Sequence, residues 1–387
     1  MKIGLAVCYD TKNFGSQLQV LATVRQTEAL GHTPEIIRYR KKMTPAFALR
    51  SLPRLLNPGF VRGKLTGRRK RKQIAAHPEV AQAVARRNQR FEQFVDRQFG
   101  RYLSAPYNGW DALVRQGGAA YEAFLCGSDQ LWLPSNLGSH FYTLEFAPAD
   151  KPKIAYATSF GVGQIPWYQK SRTAAYLRRF QSLSTREVRG AALIRGLTGI
   201  DAPVVCDPTL LMDAADWAEL IPDEVPDPAP YVFCYFLGTN PEHRRAATEF
   251  GKSTGLPLVS CPFLDNFVEG DMTFADQRLT DMDAADFVNR IRHAAFVLTD
   301  SFHGTVFSIL HHKQFLTFDR FGAGGNSRNS RIDSLCGLLG LEERRYTGDV
   351  TAVQRPIDYA AVDGKLAALR EESRQYLADS LRRAEGN

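Results

Sequence analysis

Residues 294–318 read AAFVLTDSFHGTVFSILHHKQFLTF, and this stretch decides the fold. The run 296–299 is apolar on both faces, as strands buried inside a parallel sheet are. It enters a polar turn at Asp300 and Ser301. From Thr305 to His311 the apolar spacing becomes helical, and 314–318 is again a buried strand. A strand, a helix and a strand joined by short turns form a crossover unit, and crossovers make parallel sheets.

The same alternation extends outward in both directions. C-terminal to the linker, strands are expected at 231–237 and 256–260 and helices at 241–253, 284–293 and 330–339. A long terminal helix over 362–383 has Leu366, Leu369, Tyr376, Leu377 and Leu381 as its apolar stripe. The amino-terminal half opens with a strand at 3–7, a loop at 11–15, a helix over 16–30 ended by Gly31, and a strand at 34–39. Further strands are expected at 124–126, 153–158 and 204–206, with helices near 79–99, 168–180 and 187–197. Pro222, Pro226, Pro228 and Pro230, mixed with acidic residues, mark a linker. The expected fold is α/β: two Rossmann-like domains facing a cleft, followed by a long C-terminal helix. The first domain spans 1–220 and carries a basic insert at 38–78. The linker is 221–230, the second domain 231–345, and the tail 346–387 is expected to pack back on the first domain. Ligands of such sheets bind beyond the carboxyl ends of the strands.

Composition limits the function. The chain has 387 residues, 44% hydrophobic and 23% charged, which is ordinary globular usage. No apolar run has the length of a spanning helix, and the amino-terminal run ends at Tyr9, too short for a signal-peptide core. The six cysteines are scattered without CxxC spacing, so buried thiols in a cytoplasmic protein are expected. Thirteen of the 49 basic residues lie between 36 and 78, where there is no acidic residue, so the remainder has 36 basic against 41 acidic. Whole-surface attraction to nucleic acid is thereby excluded, and a local patch for an anionic partner is left.

Four strand-end loops carry chemistry. Asp10-Thr11-Lys12-Asn13-Phe14-Gly15-Ser16-Gln17 opens the first helix. Its N–H groups suit an anion or a sugar hydroxyl, and Asn13 and Gln17 each offer a donor and an acceptor. The plainer alternative is a loop capped by Ser16. It lacks the GxGxxG pattern, so a nicotinamide cofactor gains no support. Gly127-Ser128-Asp129-Gln130 places a carboxylate at a glycine turn, as a base for a hydroxyl or as a cap. Ser184-Thr185-Arg186-Glu187 directs Arg186 into the cleft, to grip a carboxylate or phosphate with two parallel bonds or to pair with Glu187. Thr299-Asp300-Ser301-Phe302-His303-Gly304-Thr305 sets His303 at a helix start, where the positive end favours anions. There it is a donor to an anionic substrate or a structural histidine. His311 and His312 have no Cys or carboxylate at ligand spacing, so no metal site is expected.

Taken in order, the motifs resemble the polysaccharide pyruvyl transferase family. They are Asn13-Phe14-Gly15-Ser16-Gln17-Leu18-Gln19, Phe124-Leu125-Cys126-Gly127-Ser128-Asp129-Gln130-Leu131-Trp132, Ala155-Tyr156-Ala157-Thr158-Ser159-Phe160-Gly161, Ser184-Thr185-Arg186-Glu187, Cys206-Asp207-Pro208-Thr209, Thr299 to Thr305, and Ser330-Arg331-Ile332. The resemblance implies the GT-B arrangement. It also implies transfer of pyruvate from phosphoenolpyruvate to a sugar of a cell-surface polysaccharide or its lipid-linked precursor, as a ketal, with no cofactor. On that basis His303, Arg186 and Asp129 are the expected catalytic residues. Arg186, Ser301, His303, Gly304, Thr305 and Arg331 are expected around the donor. Asp10, Asn13, Gly15, Gln17, Ser128 and Asp129 are expected around the acceptor, with Asp129 or Asp10 as base. The family often has Arg two residues before the histidine; here it is Ser301, which leaves that charge to Arg328 or Arg331. Pro45, Pro53 and Pro58 are expected to break the basic insert into short pieces. It is either a solvated loop or a contact with an anionic membrane on its cytoplasmic face, and no nucleic-acid partner is expected. Two rivals share the fold: a GT-B glycosyltransferase using a nucleotide sugar, and a non-catalytic saccharide- or phosphate-binding protein.

Overall fold

The computed structural model describes residues 1–42, 58–135, 140–224, 229–320 and 329–386. Pro226 and Pro228 of the expected linker, residues 43–57 of the basic insert, and Arg328 lie outside them.

Strands β1 (Lys2–Ala6) and β2 (Thr33–Ile36) open the chain, and β3 (Tyr39–Arg40) pairs with β4 (Tyr107–Asn108) as a separate ribbon. Then β5 (Ala123–Cys126), β6 (Lys153–Ala155) and β7 (Ser182–Leu183) complete a parallel sheet ordered β2-β1-β5-β6-β7. The second parallel sheet contains β8 (Val232–Tyr235), β9 (Leu258–Ser260), β10 (Gln277–Arg278), β11 (Phe296–Thr299) and β12 (Gln314–Thr317), ordered β10-β9-β8-β11-β12. These are the two Rossmann-like sheets expected from the alternation. The segment expected as a strand at 204–206 makes only an isolated bridge, Val204 to Thr185. The strand order reverses between β1 and β5 and again between β8 and β11. At each reversal the connections leave to opposite sides and open a crevice at the strands' carboxyl ends.

Helix α1 (Phe14–Ala29) starts two residues before its expected position, because the Asn13 side chain accepts from the Ser16 N–H and caps it. Its first residue reaches the second sheet: the Phe14 ring lies 5.6 Å from Tyr235 and stacks on Phe287 at 5.0 Å. Pro58, read as a break in the basic insert, instead opens helix α2 (Pro58–Ala75). Proline is tolerated in a first turn because no helical partner awaits its missing N–H. Helix α3 (Pro78–Phe99) buries Phe91, Phe94 and Phe99. It also pairs Arg87 with Asp265, Arg90 with Asp286 and Arg97 with Asp283, each at 2.7 Å. One hydrophobic core therefore runs from Ile3, Leu18 and Phe91 through Leu210 and Trp217 to Phe233, Phe287 and Phe307, joining both halves.

Helices α4 (Val188–Thr198), α5 (Phe302–Leu310) and α6 (Ser330–Leu339) flank the crevices. The chain closes with α7 (Tyr359–Glu385), the long C-terminal helix. It contacts the first half: Ser373 Oγ accepts from the Cys206 N–H at 2.9 Å, and Tyr376 donates to the Ala155 carbonyl at 3.2 Å. The six cysteines are buried and unpaired. No helix among the described residues is long and apolar enough to cross a membrane.

Candidate active site

The loops after β1, β5, β8 and β11 converge on a cavity of about 170 Å³, whose walls include Asn13, Asp129, Asp300, His303, Arg320 and Arg331. It lies between the two crevices. Three helices begin at it: α1 capped by Asn13, α5 capped by Ser301, and α6 after Asn329. The first N–H groups of a helix have no partner within it, and the helix dipole is positive at that end. Three such starts around one space form a cradle for anions.

His303 is the second residue of α5 and is 6% exposed. On one side it meets α1: a Cβ added at Gly15 would lie 1.9 Å from His303 Nδ1, so any side chain there would displace the ring. On the other side His303 Nε2 lies 3.6 Å from Asp207 Oδ1, an ion-pair contact rather than a hydrogen bond. Asp207 comes from the first half and is buried. It accepts from Arg186 at 2.6 Å, from the Ser128 hydroxyl at 2.7 Å, and from the Thr209 N–H and hydroxyl. Burial pushes its carboxyl up, but the His303 and Arg186 charges and the Ser128 bond outweigh burial and hold it well below the usual carboxylate range.

Asp129 follows β5 with φ at 82°, a left-handed conformation unusual for a residue with a side chain. Its Oδ1 accepts from the Gln130 N–H at 2.8 Å and from Arg186 at 3.2 Å, and its Oδ2 from the Ser16 hydroxyl. Burial again opposes ionisation, but Arg186, His303, the Ser16 bond and Arg331 hold this carboxyl at about 2. It is therefore ionised at neutral pH and lies on the cavity wall.

The two arginines have different roles. Arg186, expected to point into the cleft, is not among the residues lining the cavity. Its side chain is 1% exposed and binds Asp207 and Asp129. Arg331 does line the cavity, and no carboxylate among the described residues pairs with it. Burial and the nearby Arg186 charge lower it to about 10, only partly offset by Asp129 and Glu187, so it remains a cation at neutral pH. The Phe302 ring stands near both guanidiniums, 4.8 Å from Arg186 and 5.7 Å from Arg331.

Of the other expected site residues, Asn13 and Ser301 face the cavity as helix caps. Ser128 lies behind it on Asp207. Gly304 packs against Thr299, and Thr305 is buried on Ser301 and Thr317. Gln17 points into the interior toward the Tyr9 and Phe91 carbonyls, and Asp10 is exposed outside the cavity. Two residues given no role by the sequence reading prove central. Asp207 is one, signalled by its place in the Cys206-Asp207-Pro208-Thr209 motif but given no role there. The other is Asp300, which accepts from the Leu237 and Gly238 N–H groups at 2.6 and 2.8 Å and ties the ends of β8 and β11 together. Among the described residues, no group of three or more His, Cys, Asp or Glu is placed to hold a metal ion.

A family model described as polysaccharide pyruvyl transferase matches residues 13–320. No curated protein matches the sequence. Among solved structures the chain is similar to UDP-GlcNAc 2-epimerase from Neisseria meningitidis bound to UDP-GlcNAc. The TM-score is 0.52 at 8% identity, covering 99% of this chain and 100% of that one. MurG from Acinetobacter baumannii (TM-score 0.45, 8% identity, 99% of each chain) and E. coli heptosyltransferase WaaC (0.37, 14%, 85% and 96%) also match. At these identities the likeness is one of fold alone. The fold is of the GT-B type, with two Rossmann-like halves facing a cleft.

Proposed function

Because the chain belongs to the polysaccharide pyruvyl transferase family, a family of transferases, we propose that it moves pyruvate from phosphoenolpyruvate onto a saccharide. The acceptor would be a sugar of a cell-surface polysaccharide or of its lipid-linked precursor, and the product a cyclic ketal. One observation carries the reading. A single cavity joins Arg331, with which no carboxylate among the described residues pairs, three helix starts, and a histidine backed by a buried carboxylate.

Phosphoenolpyruvate brings a carboxylate and a phosphate, and the cradle offers two kinds of anion site. Arg331 takes one anion and the start of α5 takes the other. His303 gives a proton to the methylene carbon, and positive charge develops at C2. Asp207 lies against the ring and orients it toward the donor. An acceptor hydroxyl adds to C2 and its proton passes to Asp129. The C2–O bond to phosphate breaks with its electron pair on the phosphate, and a second hydroxyl closes the ketal. Of the two hydroxyl protons, one balances the proton given to carbon and the other leaves with phosphate. Arg186 acts one layer back as a positioning residue, holding Asp129 and Asp207 in register. Ser301 supports α5 as its cap, and Arg331 supplies the charge that the serine does not.

The basic segment supports docking on an anionic membrane face, since α2 carries Arg68, Arg69, Lys70 and Lys72. Each such cation near an anionic surface contributes about 1 kcal/mol, weakened by salt. Co-sedimentation with anionic liposomes, with and without residues 68–72 changed to Gln, tests it. Equal binding by both proteins rejects docking.

The transfer reading is tested by incubation with phosphoenolpyruvate and a panel of lipid-linked saccharides. Phosphate release with a pyruvate-sized mass gain on one acceptor supports it. Binding of a nucleotide sugar, with phosphoenolpyruvate ignored, overturns it in favour of glycosyl transfer.

A further inference from the structure

Trp167 is 83% exposed, whereas Trp132 and Trp217 are fully buried. Tryptophan carries a large apolar face and is seldom left so open. Its neighbour Tyr168 is 53% exposed, with the two rings edge to face at 5.8 Å. An exposed aromatic pair on a rigid segment marks a contact surface.

The segment is rigid, and it starts at the cavity wall. Residues 159–169 follow β6 at the carboxyl edge of the first sheet. The Ser159 N–H donates to the Asp129 carbonyl at 3.0 Å, and Gly161 packs against Gln130, itself a cavity residue. Farther along, the Gly163 carbonyl accepts from Arg189 at 2.8 Å, and the Gln169 side chain donates to the Pro134 carbonyl at 3.3 Å. The aromatic pair is thus fixed at the carboxyl edge of the first sheet, the edge on which the cavity residues Asp129 and Gln130 lie, on a segment that touches both of them at its start. Arg189 and the adjoining Val188 belong to α4, and the Val188 N–H meets Ser334 of α6, the helix that begins with the cavity residues Arg331 and Ile332.

From this placement we infer that Trp167, with Tyr168 beside it, is a stacking platform for the saccharide chain of the acceptor, outside the cavity and on its first-sheet side. The inference rests on the transfer reading above. The cavity holds the reacting groups, so the rest of a polysaccharide acceptor must run out over its rim. A pyranose ring has one apolar face of C–H groups with hydroxyls at its edge, which matches a flat, open indole with the Tyr168 ring edge-on beside it. Phosphoenolpyruvate, an anion without such a face, would not use the platform.

The test has an arm that needs no turnover. Trp167 is the most exposed of the four tryptophans, with Trp110 half-buried, so the difference in acrylamide quenching between the native protein and Trp167→Phe reports on its face. The probes are neutral tetrasaccharides of glucose, galactose and mannose, with phosphatidylglycerol vesicles as a separate arm. Protection from quenching by at least one tetrasaccharide, lost in Trp167→Phe, supports the platform. Protection by vesicles alone, or by none of the probes, overturns it. In the kinetic arm, Trp167→Ala raises KM for an oligosaccharide acceptor about tenfold, the size of one aromatic contact. KM for phosphoenolpyruvate stays unchanged. An unchanged acceptor KM overturns the inference. The two readings separate cleanly. Saccharide protection without pyruvyl transfer keeps the platform and removes the transfer reading; transfer without protection does the reverse.

Discussion

The imidazole of His303 and the carboxylate of Asp207 meet at 3.6 Å although they belong to different halves of the molecule. Asp207 hangs from the first half through Arg186, Ser128 and Thr209, and His303 stands on the first turn of α5 in the second. The pair therefore exists only while the two halves are closed on each other, and the shared core around Phe14 and Phe287 holds them so. Bonds between catalytic groups commonly shorten when substrate arrives.

Replacement of His303 by Ala lowers transfer by about a hundred- to ten-thousandfold, the usual range for a positioned acid. Stability changes by no more than about 1–2 kcal/mol. Gly15→Ala reaches a similar outcome by another route, since its methyl group would occupy the place of His303 Nδ1. In the double variant Gly15→Ala with His303→Ala that clash is gone, so the second change adds little further loss. Normal turnover in Gly15→Ala contradicts the assigned ring position.

Asp207→Asn keeps the shape and removes the charge. Turnover falls while KM for phosphoenolpyruvate stays near its original value, because Asp207 contacts the histidine and not the donor. A rise in donor KM with unchanged turnover would move Asp207 out of the positioning role.

Arg186 and Arg331 should separate in mutant form. Arg186→Ala leaves Asp207 and Asp129 without their buried partner and costs about 3–5 kcal/mol in thermal or denaturant unfolding. Arg331→Ala breaks no direct carboxylate pair among the described residues, since Asp129 keeps Arg186. It keeps stability within about 1 kcal/mol and raises donor KM about ten- to a hundredfold, the loss of a charge-assisted bond. The opposite pattern would restore Arg186 as the donor's ligand.

Much of this arrangement could be read along the chain. The strand, turn and helix at 296–310 gave both the parallel sheet and the place of His303, because apolar spacing and helix starts are local properties. The paired halves followed from repetition of that pattern. The partner of His303 was hidden, since Asp207 reaches it only through the packing of the two halves. Arg186 illustrates the same limit. Its position near the cleft was legible, but which anion it meets depends on Asp207 and Asp129, both distant in sequence from each other. Pro58 was misread as a break because a proline that ends one helix can equally well open another.

Acid should weaken the fold through these carboxylates. Asp129 and Asp207 are depressed below their ordinary value of 3.8, Asp129 to about 2. Between those values the unfolded chain binds protons that the folded chain refuses, so lowering the pH favours unfolding. The stabilisation is complete above 3.8 and is lost as pH falls through the folded values, at up to about 1.4 kcal/mol per pH unit per carboxyl. Asp129→Asn should flatten the dependence of unfolding free energy on pH in that window. An unchanged slope would show that Asp129 is not held ionised.

The central claim is that His303 protonates the methylene carbon of phosphoenolpyruvate during transfer to a saccharide. Transfer in deuterium oxide, with the product methyl group read by mass and proton resonance, tests it most directly. The account predicts one deuterium in the ketal methyl group, formed at the full rate by the native enzyme and almost not at all by His303→Ala. A ketal methyl without deuterium, or equal deuterated product from His303→Ala, would contradict it.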